Sequence, residues 1–162
     1  MINTAQTVKP ESFQLLELVN FRLNREEFGI DILTVKEIMR MRQITRMPNS
    51  PDFIAGVTNI RGNIIPVVNL RSKMGLPEKE YDKGTRIIVV EVSGTITGFV
   101  VDAVTEVLRI PSNITEAPPK IVAGINSEYI KSVGKLDNRI LILIDLEKVL
   151  STTEILQLKE VA

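Results

Sequence analysis

The chain contains no histidine, no cysteine and no tryptophan among its 162 residues. Without an imidazole or a thiol it cannot assemble a Ser-His-Asp or Cys-His nucleophile, a thiolate or imidazole metal site, or a disulfide. Net charge is absent too, with 20 Lys and Arg against 20 Asp and Glu. A nucleic-acid binder needs a basic excess to meet phosphates, so the balance argues against that class. Long apolar runs are also missing. The longest aliphatic run, Ile140-Leu141-Ile142-Leu143-Ile144, is far short of the roughly 20 residues of a membrane span. The opening MINTAQTVKPES has no apolar segment of the signal-peptide kind. The expectation is a soluble cytoplasmic protein that inserts into no membrane and carries neither metal nor cofactor.

What the chain has in quantity is aliphatic. Hydrophobic residues make up 44% of it, ample for a packed core and too many for disorder. Its 21 Ile and 17 Val against 15 Leu favour sheet, because β-branched side chains fit a pleated, half-buried surface. The length suits one domain, or two small ones sharing a core.

Residues 1–12 are polar and read as a flexible leader. From Phe13 to Leu23 the odd positions are apolar with one exception at Glu17, while Gln14, Asn20 and Arg22 face the other way, and Phe28, Ile30 and Ile32 alternate with Gly29 and Asp31 across a polar turn, which predicts a hairpin. Ser50-Pro51 has the form of a helix start and Gly56 of its stop. Val57-Thr58-Asn59-Ile60 and Ile64 to Val68 flank Arg61-Gly62-Asn63, a second hairpin, with Pro66 signalling an edge or bulge. Asn69 can cap a short helix through Met74. Arg86–Val92 with Thr95–Val101, and Tyr129–Leu136 with Arg139–Ile144, read as a third and a fourth hairpin; Pro111 to Pro119 reads as a loop. Asp145 can cap a helix through Leu150. Ser151 to Glu154 has capping-box spacing, so residues 151–162 read as a C-terminal helix burying Ile155, Leu156 and Leu158.

The sequence also echoes itself. Gly29…Val35-Lys36-Glu37-Ile38 matches Gly98…Val104-Thr105-Glu106-Val107 at an offset of 69, and Ile64 to Leu70 matches Ile140 to Leu146 at an offset of 76. Shared glycine, glutamate and helix-cap positions in the same order point to a duplicated β unit. Two short-stranded units rich in hairpins suggest two small barrels packed together.

Enzyme templates fail: the chain has no GxGxxG, GxxxxGK[ST] or GxSxG. The carboxylates Glu26, Glu27, Glu78 and Glu80 sit in loops, where nothing marks one as desolvated for acid–base work. No catalytic residue is expected. Two constellations remain. Arg61-Gly62 at a hairpin tip is either a solvated charge beside a turn glycine or an arginine anchor for a partner. On a strand, Val35 and Glu37 share one face and Lys36 and Ile38 the other. That is either a mixed exposed face, or an apolar contact and a charge for a partner helix.

The stretch Asn49 to Arg71 (NSPDFIAGVTNIRGNIIPVVNLR) resembles the signature of the CheW family of bacterial chemotaxis coupling proteins. The likeness continues through Glu27 to Ile32, Val35 to Ile38, Gly98 to Val104 and Leu141 to Leu146, and so spans about residues 13–150. Ile60 stands where the family usually has Leu, and Asn69 where it usually has Asp; both keep the local chemistry. The resemblance implies a mainly β fold of two five-stranded SH3-like barrels around a shared hydrophobic core, with short helices and no catalysis. It implies two partners: the regulatory domain of the histidine kinase CheA, and the cytoplasmic helical tip of methyl-accepting chemoreceptors, in whose membrane-associated arrays the protein would be recruited. Receptor-contacting positions carried over are Val35, Glu37, Gly56 and Arg61. The kinase-contacting positions are Pro119, Lys120 and Ile121, with Ile121 replacing a residue that is often aromatic. Alternatives are the CheW-like part of a CheV or CheA protein and, in another class, a small-molecule-binding β-barrel.

Overall fold

The computed structural model describes residues 14–118 and 129–161. The leader expected over residues 1–12 lies outside them. Strands β1 (Leu15–Leu23) and β2 (Glu26–Asp31) form the first hairpin, and a 3-10 turn (Ile32–Thr34) leads into β3 (Val35–Arg40). Then come β4 (Ile54–Ile60), β5 (Asn63–Asn69), helix α1 (Leu70–Lys73), β6 (Arg86–Val92), β7 (Thr95–Val101) and β8 (Ala103–Pro111). A second 3-10 turn (Ser112–Ile114) precedes β9 (Thr115–Glu116), β10 (Ile130–Lys135) and β11 (Ile140–Ile144), and helix α2 (Thr152–Val161) follows.

These strands make two sheets, ordered β8-β1-β2-β11-β10-β9 and β3-β6-β7-β5-β4. Connectivity curls each into a barrel. In the first, the edge strands β8 and β9 are joined by only three residues, which brings the two edges together. In the second, the chain leaving edge strand β3 bridges the opposite edge at Thr45–Val57, with reciprocal N–H···O bonds of 2.8 and 2.9 Å. We call these barrel I and barrel II. Their SH3-like form agrees with the expected architecture, except that barrel I gains the two-residue β9 as a sixth strand.

Both echoes fall on topologically equivalent strands. At the offset of 69, β2 and β3 map onto β7 and β8; at 76, β5 maps onto β11. The irregularities are copied as well. The register slips at Lys36 in β3 and at Thr105 in β8, and again between Ile54 and Gly56 in β4 and between Ile130 and Ser132 in β10. Asn69 N donates to Phe53 O and Asp145 N to Tyr129 O, both at 2.8 Å. The repeat is nevertheless not the barrel. Each repeat gives its first hairpin to one barrel and its remaining strands to the other, so barrel II (β3–β7) is inserted within barrel I.

Burial follows from this exchange. Leu18, Ile110, Leu141 and Leu143 fill barrel I, and Ile60, Ile65, Val67, Ile87, Val89 and Val100 fill barrel II. The largest cluster lies between the barrels. Phe21 and Phe28 stack there at 5.5 Å, joined by Ile88, Phe99, Val101, Ile144 and Leu158. Helix α2 reaches this core through Leu158, while Ile155 packs against it. Leu156, expected inside, is 60% exposed, because a helix can turn only one stripe inward.

Other expectations need correction. Ser50-Pro51 starts no helix: the Ser50 hydroxyl donates back to the Met47 carbonyl at 2.8 Å, and Ile54 onward is drawn into β4 by pairing with β5. The region expected as a loop from Pro111 contains the second 3-10 turn and β9. Strand β8 was not legible, since its Thr105-Glu106-Val107 run is exposed throughout and shows no alternation.

Candidate functional site

Arg61 and Gly62 form a two-residue hairpin loop between Ile60 and Asn63. Both have positive φ, 51° and 86°, as a type I′ turn requires. Gly62 meets this at no steric cost, and its N–H is held by the Asn59 side-chain oxygen at 2.8 Å. The turn aims Arg61 across to β3, where its Nη1 and Nη2 donate to Glu37 Oε1 at 3.0 and 2.5 Å. The two side chains are 67% and 34% exposed. An exposed pair of this kind adds little to folding, about 0–1 kcal/mol. It organises the rim of barrel II instead.

The bulge at Lys36 overturns the expected sharing of one face by Val35 and Glu37: Val35 lies opposite Val90 and Ile38 opposite Ile88, on the side of the core between the barrels, whereas Glu37 lies opposite Val89 and Met39 opposite Ile87, on the barrel II side. Val35 packs against the core between the barrels. Glu37 and Arg61 meet directly, while Val35, two residues back along the strand, looks to the other face.

Gly56 does something different. It is buried, with φ of +149°, and a Cβ there would collide with the Thr45 carbonyl. This glycine permits the Thr45–Val57 bridge that closes barrel II, so it shapes the site through the backbone. The positions Pro119, Lys120 and Ile121 lie outside the described residues.

Sequence reasoning missed two exposed aliphatics that flank the ion pair along the chain. Ile38 and Ile64 are 38% and 54% exposed, and no pattern marks an aliphatic strand residue as facing solvent rather than core. It also missed Asn20, fully buried in barrel I, and the ion pair between Arg71 and Asp102 at 2.6 Å, in which both side chains are almost covered. Among the described residues no cluster of three acidic groups could hold a metal, and no helix is long and apolar enough to cross a membrane. The barrel interiors are filled by aliphatic side chains, which disfavours a small-molecule barrel.

Comparison with known proteins identifies the family. A CheW-like domain model matches residues 17–154. The chemotaxis protein CheW of Klebsiella aerogenes is 42% identical over 146 residues, covering 90% of this chain and 88% of that one. CheW of Bacillus subtilis is 33% identical over 134 residues, 83% of this chain and 86% of its own. The chain also matches CheV3 of Helicobacter pylori at 29% identity, but spans only 47% of that protein. Among solved structures, the scaffolding protein TtCheW of Thermoanaerobacter tengcongensis superposes with a TM-score of 0.79 at 36% identity, covering 87% of this chain and 91% of that one. The chain belongs to the CheW-like family of chemotaxis proteins, whose members are scaffolds without catalytic activity.

Proposed function

We propose that this protein is the adaptor that couples methyl-accepting chemoreceptors to the histidine kinase CheA, working in the cytoplasm and recruited to receptor arrays. The observation that carries the reading is the rim of barrel II. There the Glu37–Arg61 pair, oriented by a rigid two-residue turn, is flanked along the chain by the exposed Ile38 and Ile64. An amphipathic receptor helix is recognised by aliphatic contacts plus a charge that sets register, and this rim offers both. Gly56 supports it from beneath by keeping the barrel closed. The kinase regulatory domain is assigned to Pro119, Lys120 and Ile121.

Coupling needs no chemistry from the scaffold. Holding two partners at once raises the effective concentration of each for the other. A rigid double barrel converts a shift of the receptor tip into a changed pose of the kinase.

The test is titration of the full chain with a receptor tip fragment and, separately, with the kinase regulatory domain. Both are expected to bind, and neither is expected to displace the other. Ile121→Asp should weaken the kinase by roughly tenfold or more while leaving the receptor within about twofold, since an aspartate in an apolar contact loses its hydration. Mutual exclusion of the two partners would overturn the adaptor reading.

A further inference from the structure

Nothing packs on the hairpin tip that carries Arg61. A Cβ placed on Gly62 would meet no atom within 4 Å, and the Arg61 side chain is 67% exposed. Yet the backbone there is costly to hold. Arg61 sits at φ of 51°, a left-handed conformation in which the Cβ of an L-residue crowds the carbonyl oxygen that follows. The two-residue loop between paired Ile60 and Asn63 also leaves its inner N–H groups outside the strand ladder. The tip therefore needs a restraint that packing does not supply.

One side chain provides it. Asn59 stands on β4 directly opposite Ile64, and both are exposed. Its Oδ1 accepts the Gly62 N–H at 2.8 Å and so ties the strand to the second residue of the turn. A short amide side chain of this kind stands in for a backbone acceptor. Asparagine is a poor strand former, and an exposed one between Thr58 and Ile60 gains no burial in return. Two restraints then act on Arg61 at different atoms. Asn59 fixes the peptide that joins Arg61 to Gly62, while Glu37 Oε1 accepts from Nη1 and Nη2 at the far end of the side chain.

We propose that Asn59 is a positioning residue for receptor binding: it holds the Arg61–Gly62 peptide in the left-handed turn, so that the guanidinium meets the receptor helix already oriented. This rests on the reading of Arg61 as the receptor anchor. Because the bond is made within the chain itself, the tip is ordered before the partner arrives and binding does not have to order it. Without the bond the tip samples other turns, and only the left-handed fraction presents Arg61 correctly.

The experiment is a double-mutant cycle on the full chain, titrated with a receptor cytoplasmic tip fragment. Asn59→Ala should weaken the tip by about three- to tenfold, the range of one net hydrogen bond. Added to Arg61→Ala, the same change should alter the remaining affinity by less than about twofold, because Asn59 acts only through Arg61. Amide exchange of the free protein supplies a signature that a general loss of stability does not. In Asn59→Ala the Gly62 amide should exchange at least about threefold faster while the ladder amides of β4 and β5 keep their rates. The melting temperature should stay within about 2 °C, since the side chain is exposed. An unchanged affinity in Asn59→Ala, with Arg61→Ala still weakening the tip, would overturn this inference and leave the adaptor reading standing. An equal loss in both backgrounds would also overturn it, by making Asn59 a direct contact of the helix. Faster exchange along all of β4 and β5, with a lower melt, would overturn it as well, since Asn59 would then hold the hairpin and not the turn. No binding of the tip to the unaltered chain would remove both readings.

Discussion

Arg61 and Gly56 lie five residues apart and separate two kinds of importance. Arg61 is exposed, and its left-handed backbone is shared by any L-residue placed there. Arg61→Ala should therefore change stability by less than about 0.5 kcal/mol. If it anchors the receptor helix, the same change costs about 2 kcal/mol of binding, roughly thirtyfold. Denaturant melts and receptor-tip titration check the two halves independently. Gly56→Ala should do the reverse. The added methyl meets the Thr45 carbonyl in a backbone conformation that L-residues avoid, so at least about 2 kcal/mol of stability should be lost. Receptor and kinase binding should then fall together, as the fraction folded falls. Loss of receptor binding alone in Gly56→Ala, with an unchanged melt, would mean that the residue touches the partner directly.

Elements hold because their ends are satisfied. Helix α2 begins with a reciprocal cap: Ser151 N–H donates to Glu154 Oε1 at 2.8 Å, and Glu154 N–H donates to Ser151 Oγ at 3.2 Å. Lys73, at the end of α1, donates to both carboxylate oxygens of Glu154 at 2.7 and 2.8 Å, so one side chain caps its helix and pins it to the body. Partial burial opposes ionisation of Glu154. The hydrogen bonds from Lys73 and Ser151 outweigh it and hold the carboxyl below its ordinary range. A lowered folded pKa means stability that is complete above the unfolded value and is lost as pH falls through the folded one. Thermal melts between about pH 6 and pH 3 should show that loss. Glu154→Gln should melt lower at neutral pH and respond less to acid. Equal acid sensitivity in both proteins would place the titrating group elsewhere.

At the scale of the molecule, the two barrels are one folding unit. Asp102 is the single residue between β7 of barrel II and β8 of barrel I. Its N–H donates to Arg22 O, and its Oδ2 accepts from Asn24 N–H at 2.7 Å and Arg71 Nη1 at 2.6 Å. Asp102→Ala strands an almost covered guanidinium and should cost about 3 kcal/mol in denaturant unfolding. Barrel II is continuous in sequence from residue 35 to 101, yet its Ile88, Val90, Phe99 and Val101 pack into the core shared with β1 and β2. Expressed alone, residues 35–101 should give no cooperative unfolding transition, because that apolar face would meet water. A sharp two-state melt of the fragment would show that the barrels are independent.

Composition and local pattern were enough for the class of the protein. β-Branched excess, hairpin turns at Ser93-Gly94 and Asp137-Asn138, the caps at Asn69, Asp145 and Ser151, and the two offsets are all local signals, and the structure carries each of them. The Arg61 turn was legible for the same reason, since a few adjacent residues determine it; the shared face expected of Val35 and Glu37 was not borne out, because the bulge at Lys36 is set by pairing with β6. What needed the tertiary structure is everything that depends on distant partners. The echo at 69 says that two segments are alike; it does not say that β2 pairs in parallel with β11, or that each repeat donates a hairpin to the other's barrel. The meeting of Glu37 with Arg61, the burial of Asn20, the exposure of Ile38 and Ile64 and the clash that makes Gly56 obligatory all arise where strands far apart in sequence are brought side by side. A strand's period tells which residues share a face, but only the sheet's order decides whether that face is core, rim or solvent.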